Sequence, residues 1–435
     1  MSSVDADADR ALRRVHLLLA PTIMLAVATE FIVVGLLPPI ASEFDVPLST
    51  AGQLTAVFAI AAAVIGPLVT LGVSRVPPQT LLTAGLVLFG VGNGVIAVAT
   101  DFTLVLVVRA VQGAFLPALI GVGTAEVLRH APAVSRGRAL ARANLGFVLG
   151  VLLALPAGVA LAEGGDWRLP FVVLAIASLP VAAAVAVLFP RDHQVPDRPP
   201  PNVAGQLALL RRPRFLGHLA LSVTIFAAMF SAYTYLGAWF EDIMGLDATR
   251  LAIAFLLFGA VGVAGNFIAE RIADRFPLAA TAFTAVALAV AVNVAAWTGD
   301  SILAAVIPLA VWGVMHTAGV TLSQVRVTLA GATAPAFAMT LNISTANLGI
   351  AVGAIVGGWA VDHLSLAGLG LMPAALTVVA LLIIIPLRAK HPVSRQDRVD
   401  VATVHPDRGS RRRRGQRGRQ VGDHIGDLDR LDQPL

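Results

Sequence analysis

Two ionisable residues stand where ions are hard to keep. Glu30 lies inside the apolar run Leu17–Pro38, and Arg109 inside the run Thr103–Leu128. A guanidinium at membrane depth costs roughly 2.5–3.5 kcal/mol on insertion scales, so it usually faces a bundle interior or a watery cavity and needs a partner. At about 1.5 Å of rise per residue, Glu30 sits roughly 12 Å from Pro38 and Arg109 roughly 9 Å from Thr103, so the two share a depth. Burial disfavours the charged form of a carboxylate, and a neighbouring cation favours it. A conformational change that alters their separation can therefore take up or release a proton. The same two residues also fit a static ion pair, or a carboxylate lining a wet vestibule.

The surrounding composition excludes a soluble setting. Hydrophobic residues make up 57% of the chain and charged residues 13%, against about 25% charged in soluble domains. Mean hydropathy is +0.82. Cysteine is absent, which removes disulfides, thiolate nucleophiles and Cys-ligated metals. The only lysine is Lys390, so no phosphate-cradling Gly-rich loop ending in lysine exists, against an ATP-driven pump in this chain. No metal-ligand cluster or nucleophile–base set appears, so neither an enzyme nor a bound cofactor is expected. The charged start, Asp5 to Arg14, precedes the first apolar run without a small-residue cleavage site, which reads as an uncleaved first span.

A window of about 20 apolar residues finds twelve spans. The first six are Leu17–Pro38, Ala51–Val73, Thr80–Ala99, Thr103–Leu128, Ala139–Ala162 and Pro170–Phe189. The second six are Phe215–Gly237, Thr249–Ala269, Pro277–Trp297, Ile302–Val325, Pro335–Ala360 and Leu366–Leu387. The chain thus divides into an N-terminal segment 1–16, a six-helix bundle 17–189, a Pro-rich linker 190–214, a second bundle 215–387 and a polar tail 388–435. Arginines gather in the even-to-odd loops, including Arg75, Arg129, Arg136, Arg191, Arg271, Arg275 and Arg326. Acids gather in the opposite loops, including Glu43, Asp101, Glu163, Asp166, Glu241 and Asp300. The positive-inside bias then puts both termini in the cytoplasm. The tail, with Arg411–Arg414 in a row, reads as solvated and disordered or in contact with anionic headgroups; nucleic acid is not an expected partner.

The halves repeat. Ala143-Asn144-Leu145-Gly146-x-x-x-Gly150 in the fifth span recurs as Ala346-Asn347-Leu348-Gly349-x-x-x-Gly353 in the eleventh, and Phe58 and Arg75 recur as Phe258 and Arg275. Parallel repeats of this kind place a substrate site near mid-membrane between the halves. Gly146, Gly150, Ala154, Pro156 and Gly158 form a small-residue stripe that lets helices approach closely, with Pro156 as a kink where the halves rock. Gly259, Gly262 and Gly265 lie in an apolar span with no preceding strand, so they are no dinucleotide fingerprint. The run Glu270, Arg271, Asp274 and Arg275 fits an ion-pair latch or a solvated turn. Gln112, Tyr233, His316 and Asn342 are polar groups within spans, able to touch a substrate or a neighbouring helix. Met229, Phe230, Tyr233, Trp312 and His316 form a mostly neutral set suited to a moderately lipophilic compound.

These features resemble the major facilitator superfamily, specifically its twelve-helix drug–proton antiporter branch, which includes sugar, arabinose, purine-nucleoside and chloramphenicol exporters. Thr29-Glu30-Phe31 with Gly35-Leu-Leu-Pro38 is similar to the first-helix motif. Arg109-x-x-Gln112-Gly113 is similar to the fourth-helix motif whose arginine is implicated in proton coupling. Gly146-x-x-x-Gly150 through Pro156-x-Gly158 resembles the antiporter motif, and Asp166-Trp167-Arg168-x-x-Phe171 the entry to helix six. One departure stands out: Ser74 replaces the acid expected before Arg75, and Pro78 and Gln79 replace bases, which weakens the latch of the first half. The second half keeps Asp274-Arg275.

The resemblance implies an all-α integral membrane protein of two pseudo-symmetric six-helix bundles, with a cavity lined chiefly by spans one, four, seven and ten. It implies a multi-pass inner-membrane, monomeric transporter that exports a small organic molecule in exchange for protons. Glu30 would carry the proton and Arg109 modulate it. A sugar or nucleoside exporter, an importer of the same fold, and a receptor or scaffold that moves nothing are the rival readings.

Overall fold

The computed structural model describes residues 3–73, 75–131, 136–190, 203–273, 275–298 and 301–388. Its architecture is helical, with twelve long elements among the described residues. In the first half these are α1 (Leu12–Gly35, a helix that begins at Ser3), α2 (Leu48–Gly72), α3 (Pro78–Val98), α4 (Phe102–His130), α5 (Arg136–Leu161) and α6 (Leu169–Leu188). The second half contains α7 (Pro213–Asp242), α8 (Ala248–Ala273), α9 (Pro277–Trp297), α10 (Ile302–Ala330), α11 (Pro335–Leu364) and α12 (Leu366–Arg388).

Eleven of these are long and apolar enough to cross a membrane; in α5 the described apolar stretch is Leu145–Leu161. A short helix, Val203–Leu210, lies within the expected linker. Ser74, residues 191–202 of the linker, Asp274, Asp300 and the tail after Arg388 lie outside the described residues.

Two sequence expectations change here. Arg326, expected in a loop after Val325, lies inside α10 and is 1% exposed. No Gly or Pro follows it until Gly331, so the helix runs on to Ala330. The first helix also starts well before Leu17, because an alanine-rich charged run favours helix without needing lipid.

Local chemistry explains the element ends. Asp101 caps α4 by accepting from the backbone N–H of Thr103 and Leu104 at 3.3 and 3.2 Å, and Ser301 caps α10 at the matching position. Both helices are 29 residues long. Inside α2, Ala61–Ile65 widens to π geometry just before Pro67. Proline lacks the N–H and crowds the preceding turn, and a wider ring relieves both faults.

The repeat is visible in the packing. A Cβ on Gly146 would meet the carbonyl of Ala20, and one on Gly150 would come within 2.9 Å of the Met24 carbonyl. In the second half, a Cβ on Gly349 would come within 2.6 Å of the Val223 carbonyl and one on Gly353 within 2.7 Å of that of Ala227. Gly113 would meet the carbonyl of Phe58, and Gly313 that of Phe258. The stripes thus fix α5 on α1 and α11 on α7, with backbone against backbone.

The halves meet through α2 against α11 and α5 against α8. Named contacts gather toward the side where α1 ends and α2 begins. Gly237 packs on Val34 and Gly35, Gly358 on Ser49, and the Thr249 hydroxyl donates to Glu163 Oε1 at 2.6 Å. On the same side, Arg168 pairs with Glu43 at 2.9 Å and stacks over Trp167 at 4.6 Å, tying the loops of the first half. The outer surface keeps large apolar residues exposed, such as Leu257, Phe283, Leu303 and Ile385, as a lipid-facing belt requires.

Because the atom opposite Gly146 is backbone, it cannot swing aside. Gly146→Ala is expected to cost about 1–3 kcal/mol, whereas Gly121→Ala, with open space around it, should be near neutral. Thermal melting of the two purified variants in detergent checks this; equal melting temperatures would contradict the backbone contact.

Candidate functional site

Arg109 of α4 is fully buried. Its Nε donates to the Leu54 carbonyl at 3.2 Å, Nη1 to the Thr29 carbonyl at 2.7 Å, and Nη2 to the Glu30 carbonyl at 3.0 Å. The guanidinium also lies over the Phe58 ring at 4.3 Å, a favourable cation–π arrangement. Carbonyls can be spared for this because α1 changes to 3₁₀ geometry over Ile32–Gly35, just past Thr29 and Glu30. Charge-assisted bonds of this kind are about twice as strong as neutral ones.

Glu30 is 8% exposed and points into the protein, not into lipid. What Arg109 grips is the main-chain carbonyl of Glu30, while the carboxylate stands outside that set of bonds. Gln112 is fully buried and turned into its own half: its Nε2 donates to Asn93 Oδ1 at 3.2 Å and to the Phe89 carbonyl at 3.3 Å. Asn93 donates in turn to the Thr29 hydroxyl at 2.9 Å. One polar chain therefore joins α1, α3 and α4 around the arginine.

The second half holds its own buried arginine, which the sequence reading missed. Arg326 donates to the His218 carbonyl at 2.6 Å and the Ser222 hydroxyl at 2.9 Å, and its Nη1 lies 3.2 Å from His218 Nδ1. Ser222 and Ser323 both donate to Asn342 Oδ1, at 3.2 and 2.9 Å. Asn342 thus ties α7, α10 and α11 together. The available signal was the serine three residues before the arginine, with uninterrupted helix-forming residues around both.

Between these two polar centres lies a ring cluster. Tyr233 and His316 lie tilted against each other at 4.5 Å, Phe230 lies 5.2 Å from His316, and Trp312 meets Phe258 edge-on at 5.6 Å. Phe31 of the first half reaches Phe230 at 6.2 Å. Met229 packs beside them, its sulfur facing Gly319. Tyr233, Met229, Trp312 and His316 are all buried.

Of the remaining candidates, Gly158 packs on Ile32, and Pro156 lies inside α5. Arg75 and Arg275 are exposed, with Arg275 over the Phe276 ring at 5.3 Å. Ser74 beside Arg75 and Asp274 beside Arg275 are outside the described residues.

Swapping the fork for a point charge should disable this site. Arg109→Lys keeps the cation but can satisfy fewer of the three carbonyls, and transport into vesicles is expected to fall at least about tenfold, a loss of roughly 1.4 kcal/mol. Asn342→Leu should instead act on stability, costing about 1–3 kcal/mol through the stranded serine hydroxyls. Melting curves and substrate competition separate the two effects; a changed substrate preference with unchanged melting would contradict the structural role of Asn342.

Residues 19–332 match the family model of the Major Facilitator Superfamily. The chain is 30% identical over 369 residues to the inner membrane transport protein YdhP of Escherichia coli O157:H7, covering 84% of this chain and 93% of that one. It is 31% identical over 379 residues to a chloramphenicol resistance protein of Streptomyces lividans, covering 85% and 96%. Among solved structures, it resembles an inward-facing, occupied bacterial homolog of the human lysosomal transporter Spinster, with a TM-score of 0.71 at 15% identity, over 86% of this chain and 95% of that one. A match across most of the chain, on a structure of this architecture, makes the protein a multi-pass membrane transporter of the Major Facilitator Superfamily.

Proposed function

We propose that this transporter exports a small, drug-like organic molecule across the inner membrane in exchange for protons, as a monomer with both termini in the cytoplasm. The observation that carries the reading is the arrangement of Glu30 and Arg109. The cation is held by backbone and stays put, while the nearby carboxylate is free of those bonds and sequestered from lipid.

Two charge states then differ only electrostatically. Ionised Glu30 gains from the field of Arg109; protonated Glu30 gives up that gain and becomes cheaper to bury. Losing the charge breaks none of the arginine's hydrogen bonds, so the scaffold survives both states. Movement of the second half against the first, as the halves rock, changes the exposure of the Glu30 carboxyl and so its proton occupancy. Each charge moved across the membrane yields about 2.3 kcal/mol per 100 mV. Export of a drug-like compound is supported by the likeness to a chloramphenicol resistance protein.

Proteoliposomes with chloramphenicol as probe test the coupling. Glu30→Gln should abolish accumulation driven by a pH gradient while preserving exchange of labelled for unlabelled substrate. Gradient-driven accumulation at the wild-type rate would remove Glu30 from the mechanism.

A further inference from the structure

Two buried polar atoms in the ring cluster have no hydrogen-bond partner: Nε1 of Trp312 and Nδ1 of His316. Native proteins leave few such atoms, and each calls for an explanation. Both residues lie on α10, four apart, so they share one face of the helix. Elsewhere in this chain a helical histidine satisfies Nδ1 on the carbonyl four residues back, as His130 does on Glu126 at 2.9 Å and His363 on Trp359 at 2.8 Å. His316 forgoes the same bond to Trp312.

The side chains that carry these atoms sit beside other rings. Phe230 and Tyr233 come from α7, Phe258 from α8, and Phe31 closes the set from the other half of the protein. Trp312 also walls a void of about 10 Å³ beside Trp239 and Gly370, which is at the lower limit for a single water. That void is therefore no room for a substrate. The room must come from parting the halves, which withdraws Phe31, and from Met229, whose unbranched thioether adapts its shape.

We infer that this cluster is the substrate-recognition site, and that it selects an uncharged aromatic compound whose hydrogen-bonding group engages Trp312 Nε1–H and His316 Nδ1. The inference rests on the export reading above and names the substrate class for it. Stacking rings supply the affinity for a flat π system. An indole N–H is a donor only, so it calls for an acceptor such as a nitro, carbonyl or ether oxygen. A lipophilic cation would bring its charge against that N–H. A sugar would leave most of its hydroxyls unpaired against hydrocarbon, at a cost for each. The phenylalanine contact also places substrate next to the proton site, because Phe31 directly follows Glu30.

Equilibrium binding to the full chain in lipid nanodiscs, without any gradient, tests the class. The probes are chloramphenicol as an uncharged nitroaromatic, tetraphenylphosphonium as a lipophilic cation and arabinose as a polyol. Chloramphenicol should bind tightest, and Trp312→Phe and His316→Phe should each weaken it about tenfold, as loss of a buried hydrogen bond does. Tighter binding of the cation or the sugar, no binding of the nitroaromatic, or unchanged affinity in both variants would overturn the assignment. Should the variants not fold, photolabelling of the wild-type chain with an aryl-azide derivative decides. Label on the peptides carrying residues 226–233 or 312–316 supports the site, and label confined elsewhere overturns it. Since no gradient is applied, failure of proton coupling leaves these results intact, and failure here leaves the coupling test intact.

Discussion

A single constraint organises the first half: a guanidinium buried completely among helices must find acceptors or not be buried. Arg109 finds three carbonyls on two helices and an aromatic face. Removing such a group, or the acceptors it holds, leaves a desolvated polar atom behind. The arginine consequently sets the spacing of α1, α2 and α4, and Asn93 and Gln112 extend the same polar chain to α3. With the cation anchored by backbone, the carboxylate of Glu30 stands outside that set of bonds, so a change in its charge would leave them intact.

The second half repeats the scaffold but not the electrostatics. Helices α4 and α10 have equal length, equivalent caps and equivalent glycines against equivalent phenylalanine carbonyls. Yet Leu309 stands where Arg109 does in the first half, and Arg326 stands where Glu126 does. The mid-membrane level of the second half is thereby left to rings and two unpartnered ring nitrogens, while its own arginine is spent near the helix end, tying α7 to α10. Duplicated packing with divergent polar groups separates a charged centre from an aromatic one, and Phe31 is where they touch.

Much of this was legible in the residues. Long apolar runs located the helices, because hydrocarbon tolerates few alternatives to a hydrogen-bonded helix. Glu30 and Arg109 were conspicuous as ions within such runs, and the glycine stripes marked α5 and α11 as helices that pack closely, though not on which partners. What escaped depended on partners that sequence does not display. Arg109 is satisfied by carbonyls, which every residue carries, so nothing in the chain announces the choice. Arg326 lies at the margin of its apolar run, where a charge reads as a loop, and its partners His218 and Ser222 both come from α7, about a hundred residues earlier in the chain. Gln112 and Asn342 were readable as polar groups in spans, but only the fold shows them turned toward neighbouring helices.

On this proposal Glu30 binds and releases a proton beside a cation that does not move. Infrared difference spectroscopy of the lipid-reconstituted protein across a pH titration measures this directly. The expected result is a protonated-carboxyl C=O band that titrates, shifts its midpoint when substrate is added, and is missing in Glu30→Gln. A titrating carboxyl band that persists unchanged in that variant, or the lack of any such band in the wild-type protein, would contradict it.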